Sequence, residues 1–193
     1  MTPETQAQYP PMTVTLRDGT AAVIRPLSTA DADAMVAFYA GIPRADQRHY
    51  YPHALDQEHA LQNAARAESP HEVVLLLDVD GSIGGYAWYR WANDEAEQST
   101  FGICIARPYQ STGAGRLLMT RLLEIARTVG PPVMSLTVQH ANARAVQLYT
   151  KMGFQPVREQ WLERDPSSEF PSEMEYYMEQ QVNPGRAGVP RLP

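Results

Sequence analysis

Apolar positions along this chain recur at a period of two, then between three and four, then two again, and each change marks an element. "TVTLRDGTAAVIRPL" alternates on both sides of Asp18-Gly19 and predicts a hairpin. "STADADAMVAFYAG" predicts a helix. Ser28 or Thr29 would cap it, early aspartates suit the helix dipole, and Gly41 would stop it. Residues 54–67 read as a second helix, and "EVVLLLDVDGSIGGYAWYR" as two apolar strands joined at Asp80-Gly81. "STFGICIA" is a further strand. A helix then opens in "YQSTGAGRLL" and runs to about Thr128, with Leu118, Leu122, Ile125 and Val129 on one stripe. "VMSLTVQ" is a strand, and "ARAVQLYTKM" a helix capped by Asn142 and closed by Gly153. "PVREQWLER" and "EMEYYMEQQ" read as two last strands around an irregular "DPSSEF" loop.

This order predicts one mixed α/β sheet, antiparallel at first and with a crossover later. Residues 1–11, with three prolines and no period, read as a flexible arm; residues 12–181 form a single domain; residues 182–193, rich in proline and glycine, read as a disordered tail. At 193 residues such a domain buries enough surface to need neither metal nor disulfide.

Composition adds exclusions. Cys104 is the single cysteine, so no internal disulfide framework exists, and its neighbours Ile103 and Ile105 mark a strand thiol. In the first half the longest apolar run, "VVLLL", is far shorter than a membrane span, and the N-terminus lacks the pattern of a signal peptide. A cytoplasmic location is the expectation. A net charge of −6 argues against coating nucleic acid. Between Glu159 and Glu179 lie seven acidic residues and one basic one, either an attractive field for a cationic substrate or a solvated surface.

Gly113, Ala114 and Gly115 fall where a helix begins. Unpaired N–H groups and the dipole's positive end suit an anion there, and small residues let a pyrophosphate approach the backbone. Tight turns use glycine too. Two other nucleotide signatures do not fit: Gly115 is followed by Arg116 and Leu117 rather than Lys-Ser/Thr, and Leu118 stands where a dinucleotide fingerprint needs a small residue.

Some thirty residues on, Asn142, Ala145, Leu148, Tyr149, Gly153 and Phe154 fall at the spacing Asn-x-x-Ala-x-x-Leu-Tyr-x-x-x-Gly-Phe. Together with Gln110-x-x-Gly113-x-Gly115, this resembles the GNAT superfamily of acyl-CoA-dependent N-acetyltransferases across about residues 21–179. The resemblance implies a central twisted sheet of about seven strands flanked by helices. It implies acetyl-CoA as co-substrate, its pyrophosphate on the amides of Ser111, Thr112, Gly113, Ala114, Gly115 and Arg116. Gln110 and Asn142 would be further cofactor contacts. The strand Ile103, Cys104, Ile105 would splay from its neighbour and pair with the pantetheine and thioester. Tyr149 would be the general acid that protonates the departing thiolate; the residue's other reading is a packing role.

The resemblance also implies a base for the amine, often a glutamate in the strand before the cradle. Thr100 occupies that place here. Glu97 would point to the opposite sheet face, and His140 is a loop histidine. His49 and His53 are four apart with Pro52 between them, so they do not form a helical metal pair; with His59 and His71 they read as surface or substrate-lip residues, and no metal is expected. The acceptor is expected to be a small cationic amine or a protein lysine or N-terminal amine, attacked directly in a ternary complex. A non-catalytic acyl-CoA-binding sensor or partner module is the alternative, and a longer acyl donor stays open. The aromatic final strands either face the core or mediate a homodimer.

Overall fold

The computed structural model describes residues 1–50, 52–183 and 185. The chain runs through α1 (Pro3–Gln8), β1 (Met12–Thr15), β2 (Ala21–Pro26), α2 (Ala32–Ala40), α3 (Arg44–Gln47), α4 (Gln57–Ala65), β3 (Glu72–Val79) and β4 (Ser82–Arg90). It continues through β5 (Gln98–Ile105), α5 (Ala114–Ala126), β6 (Val133–Gln139), α6 (Ala143–Lys151), β7 (Gln155–Leu162) and β8 (Glu173–Gln181). The strands form one sheet of eight, in the order β1-β2-β3-β4-β5-β6-β8-β7. That is the mixed α/β architecture expected, with one strand more than the family resemblance implied.

Local chemistry accounts for most element ends. Ser28 and Asp31 form a capping box before α2, and Gly41 closes it. Asp56 caps α4 by accepting from the His59 amide at 2.9 Å, which shortens the helix relative to the expected 54–67. Asn142 caps α6 through the Ala145 amide at 3.3 Å.

Two expectations need correction. The first eleven residues are not a loose arm: Thr2 caps α1, Pro3 sits in its first turn, where a missing N–H costs nothing, and Met1 is buried with its ammonium donating to the Ala67 carbonyl. The start of the expected tail is also packed, since Val182 and Asn183 are buried and Asn183 donates to the Gly130 carbonyl at 3.0 Å. Residues 184 and 186–193 of that tail lie outside the described residues.

Strand alternation divides the core into two layers. Val73, Leu75, Leu77, Ala87, Tyr89 and Phe101 meet Leu118, Met119, Leu122 and Ile125 of α5 on one face. Val74, Leu76, Tyr86 and Trp88 meet Met35, Phe38 and Tyr39 of α2 and Ala60 of α4 on the other. Each fully buried large side chain contributes about 1.5–3 kcal/mol of transfer free energy. Among the final strands, Leu162 and Met178 are buried, Tyr176 and Tyr177 half-buried, and Trp161 exposed. Among the described residues no helix is long and apolar enough to cross a membrane.

Every strand pair is antiparallel except β5–β6, for which α5 supplies the crossover. That parallel ladder holds only Gln98–Val133, Ser99–Met134 and Thr100–Ser135. Beyond it β5 stays with β4 as far as Ile105, and β6 stays with β8 as far as Gln139. The sheet therefore splits between these two strands.

Gly102 lies just beyond the split, under the Trp88 indole: a Cβ there would fall 2.5 Å from the ring. Trp88 is buried and cannot swing away. Gly102→Ala is expected to lower unfolding free energy by about 1–3 kcal/mol through overpacking, read by urea denaturation. An unchanged midpoint would show that the indole relocates freely.

Candidate active site

The helix start that follows β5 is shaped by backbone conformation. Ser111 and Gly113 both have positive φ, 67° and 94°, and Gly113 is the N-cap residue of α5. The left-handed conformation at Gly113 costs any residue with a Cβ. The loop is anchored by the Thr112 hydroxyl donating to the Tyr109 carbonyl at 2.7 Å and by the Arg17 amide donating to the Thr112 carbonyl at 2.8 Å. A Cβ on Gly115 would lie 3.4 Å from Leu148 and 3.7 Å from Ile105, so a larger side chain would fill the space between α5, β5 and α6.

That space belongs to a cavity of about 680 Å³. Its wall brings together Ile103, Cys104, Ile105, Gln110, Ser111, Gly113, Gly115, Arg116, Asn142 and Tyr149. Thr112 and Ala114 do not line it: the Thr112 hydroxyl is turned back onto the loop and the Ala114 methyl is in the core. The Gln110 side chain donates to the Ile105 carbonyl at 3.1 Å, occupying an acceptor near the end of β5, and accepts from Arg144 at 2.9 Å.

The cavity is lined from both layers of the core. Ile103, Ile105, Leu148 and Tyr149 pack with the α5 layer, whereas Ile42, Tyr50 and Cys104 pack with the α2 layer. The split in the sheet is thus a passage between its two faces. At the α5 side the buried Tyr149 ring stands edge-on to Phe101, with centroids 6.0 Å apart. Burial, and secondarily the Cys104 thiolate, pushes the Tyr149 hydroxyl well above the ordinary phenol range, so it holds its proton. Burial, and then the Asp46 carboxylate, pushes the Cys104 thiol up to about 12.

Several wall residues carried no local signal. Arg17 arrives from the β1–β2 turn, and Asp46, His49 and Tyr50 from the segment around α3. Arg144, Gln147, Leu148 and Lys151 do share a readable pattern, at i, i+3, i+4 and i+7 of α6. The wall is cationic. Arg17, Arg116, Arg144 and Lys151 stand against one carboxylate, Asp46, which Arg107 holds at 2.6 Å and keeps below the usual carboxylate range. None of the seven acidic residues between Glu159 and Glu179 lines it. Glu173 is paired with Arg48 at 2.9 Å, Glu169 with Arg44, and Glu175 with Gln160 at 2.7 Å.

The expected base positions lie elsewhere. Thr100 is on the last rung of the closed ladder, Glu97 precedes β5, and His140 stacks on Tyr176 with centroids 3.9 Å apart; none lines the cavity. Of the other histidines, His49 lines it, while His59 contacts Asp56 and His71 contacts Asp94.

A sheet split between its one parallel pair, a glycine-led helix start at the split and a tyrosine across from it define the N-acyltransferase class of fold. A model of the acetyltransferase (GNAT) family matches residues 35–154, well over half of the chain, and the chain belongs to that family. It is 32% identical over 80 residues to a [ribosomal protein bS18]-alanine N-acetyltransferase of Salmonella typhimurium, covering 42% of this chain and 53% of that protein. It is 30% identical over 84 residues to an L-methionine sulfoximine/L-methionine sulfone acetyltransferase of the same organism, covering 42% and 49%. The matches thus span about half the length of these curated relatives. Among solved structures, the GNAT domain of S. lividans PAT superposes with a TM-score of 0.72 at 18% identity, covering 89% of this chain and 97% of that one. The yncA protein of Salmonella typhimurium, a putative acetyltransferase solved with its cofactor acetyl-CoA, gives 0.70 at 20% identity, covering 89% and 99%.

The position of Cys104 sets its reactivity. At pH 8, four units below about 12, roughly one thiol in 10,000 is thiolate. Alkylation by iodoacetamide is expected to be far slower than that of free cysteine and to rise about tenfold per pH unit from 7 to 10. Rapid labelling independent of pH would overturn this.

Proposed function

We infer that the chain transfers an acetyl group from acetyl-CoA to a primary amine, with both substrates bound at once. The observation that carries this reading is the passage through the sheet: donor and acceptor can enter from opposite faces and meet beside β5. The cationic wall supports the donor's place. Arg17, Arg116, Arg144 and Lys151 line the same cavity as the start of α5, where helix amides and the dipole also favour phosphate. Ile103 to Ile105 offer β5 main chain, released from β6, to an extended pantetheine arm. A β5 amide aimed at the acyl oxygen would stabilise developing negative charge, a contribution commonly worth about 3–4 kcal/mol.

Acetyl-CoA supplies an activated thioester; the remaining work belongs to the protein. Tyr149 holds the proton required by the leaving sulfur. The burial that makes the phenol a weaker acid also makes a thiolate in the same pocket a stronger base, so the transfer stays matched. Cys104, held protonated, does not carry the acetyl group. The acceptor enters along Ile42, Asp46, His49 and Tyr50. The names of the two kinds of relative, one acting on a protein alanine and one on methionine derivatives, support an amine on an amino-acid carbon. A single free thiol suits a cytoplasmic setting.

Calorimetric titration with acetyl-CoA is expected to show saturable binding, weakened at least tenfold by Gly113→Val, which forces a β-branched residue into the left-handed region. In thiol-release assays with an amine panel, Tyr149→Phe is expected to lower kcat about 100-fold or more while acetyl-CoA affinity stays within a few-fold. Binding without amine-dependent turnover would make the chain an acyl-CoA-binding module. No binding by folded protein would sink the reading.

A further inference from the structure

If acetyl transfer to an amine is the reaction, the acceptor's ammonium must lose a proton before it can attack. For an amine of pKa about 10.4 this costs about 4.6 kcal/mol at pH 7. Glu97, Thr100 and His140 do not line the cavity; among the described residues its one carboxylate, Asp46, is held by Arg107, and His49 is the one histidine on its wall. The acceptor side of the passage does contain another proton acceptor.

Tyr50 forms part of that wall and is 8% exposed. Its hydroxyl lies 3.0 Å from Trp88 Nε1 and 3.0 Å from His53 Nε2. The indole N–H can only donate. His53 Nδ1 lies 2.8 Å from the Ala54 carbonyl, which can only accept, so the neutral ring carries its proton on Nδ1 and presents Nε2 as an acceptor. The direction of the chain is then fixed: Trp88 donates to Tyr50, and Tyr50 donates to His53. The phenol oxygen keeps one lone pair. Tyr50 also stands near enough to Cys104, on the acceptor-facing side of β5, for their charges to interact.

We propose that Tyr50 and His53 form the proton relay that neutralises the acceptor amine. The ammonium N–H bond breaks and its proton moves to Tyr50 Oη, while the Tyr50 O–H proton moves to His53 Nε2. The amine keeps the electron pair for attack, Tyr50 ends neutral, and His53 becomes an imidazolium. When product leaves, the same two transfers run backwards and deliver the proton to water in the cavity. Tyr50 is the group that meets substrate; His53 acts through it.

The surroundings of His53 set its protonation state. Burial, and then Arg90 of β4 and His59 and Arg66 from α4 and its C-terminal end, lower its proton affinity, against the Ala54 carbonyl, which raises it. Asp56 at the α4 N-terminus, Tyr39 of α2 and Asn63 of α4 complete the neighbouring groups. The ring is therefore neutral at pH 7 and free to accept, but it is a weaker base than an ordinary imidazole, so the transfer is uphill and is drawn forward by the amine's attack on the thioester. The relay is present above the lowered pKa and is lost as pH falls through it.

The test uses Tyr50→Phe and His53→Gln, with thiol release measured for a strongly basic alkylamine and for a weakly basic alkoxyamine that is already neutral at pH 7. Both variants are expected to lose about 100-fold in kcat/KM with the alkylamine and little with the alkoxyamine. The limb of the alkylamine profile governed by His53 should vanish, leaving a rise with pH toward the amine's own pKa. Acetyl-CoA affinity and the thermal midpoint report folding. Should Tyr50→Phe fail to fold, because Trp88 Nε1 loses its acceptor, His53→Gln reads the relay with Tyr50 in place. Equal losses with both amines, or no loss, would overturn the relay while leaving acetyl transfer standing. A folded wild type inert toward both amines would overturn acetyl transfer and the relay together.

Discussion

The organisation of this molecule depends on a hydrogen-bond ladder that stops early. After three rungs β5 and β6 part, and each is held away from the other by a longer partnership: β5 by β4 over Thr100–Ile105, β6 by β8 over all seven of its residues. Main-chain groups along the gap lose their natural partners, and a buried orphan costs about 1–3 kcal/mol. The Gln110 side chain satisfies one of them, the Ile105 carbonyl. Phe101, Tyr149 and Phe154 pack together beside the point of divergence, with ring centroids about 6 Å apart. The gap is thus a feature of the folded state set by its neighbours, not a weakness of the sheet.

Charge is sorted around this gap. The chain carries −6 overall, yet the cavity wall is cationic, because many of the acids act elsewhere. Glu169 in the β7–β8 connection pairs with Arg44, Glu173 at the start of β8 pairs with Arg48, and Asp46 ties the α3 helix to Arg107. Single exposed pairs contribute about 0–1 kcal/mol, so these contacts stabilise little individually. Their consequence is positional: the 42–50 segment is fixed over the α2-layer side of the cavity, and the arginines of α5 and α6 are left facing it.

The legible parts of the sequence were those whose cause is local. Asp18-Gly19 and Asp80-Gly81 marked hairpins, and Asn142 and the Gly113–Gly115 spacing marked helix starts, because turn, cap and left-handed geometry are properties of a few consecutive residues. The α1 and α3 helices, of six and four residues, were too short to show a period, and the prolines around them read as breakers. Arg17 reaches the cradle through a contact to Thr112 across the chain, which no window of sequence contains. Charge counting between Glu159 and Glu179 left an attractive field and a solvated surface both open, because it could not register that Glu169 and Glu173 are paired by Arg44 and Arg48, more than a hundred residues away.

The alternation of β5 then decides which side chains reach the cavity from each face. Side chains of successive strand residues point to opposite faces, so Ile103 and Ile105 belong to the α5 layer and Cys104 to the α2 layer. Tyr149 and Tyr50 follow the same division, and the split is what lets both reach one cavity. The proposed reaction, giving one proton to a leaving sulfur and removing another from an attacking nitrogen, would benefit from this separation. Two phenols on one face would share an environment, and a change in one would perturb the other. On opposite faces their contacts differ, Tyr149 against the apolar Phe101 and Phe154 and Tyr50 against the polar Trp88 and His53, while Cys104 between them acts on both. A slip of one residue in the β4–β5 register would exchange the two faces of β5 and destroy this division. The six paired residues from Thr100–Arg90 to Ile105–Gly85, with Gly102 fitted under Trp88, hold that register against such a slip.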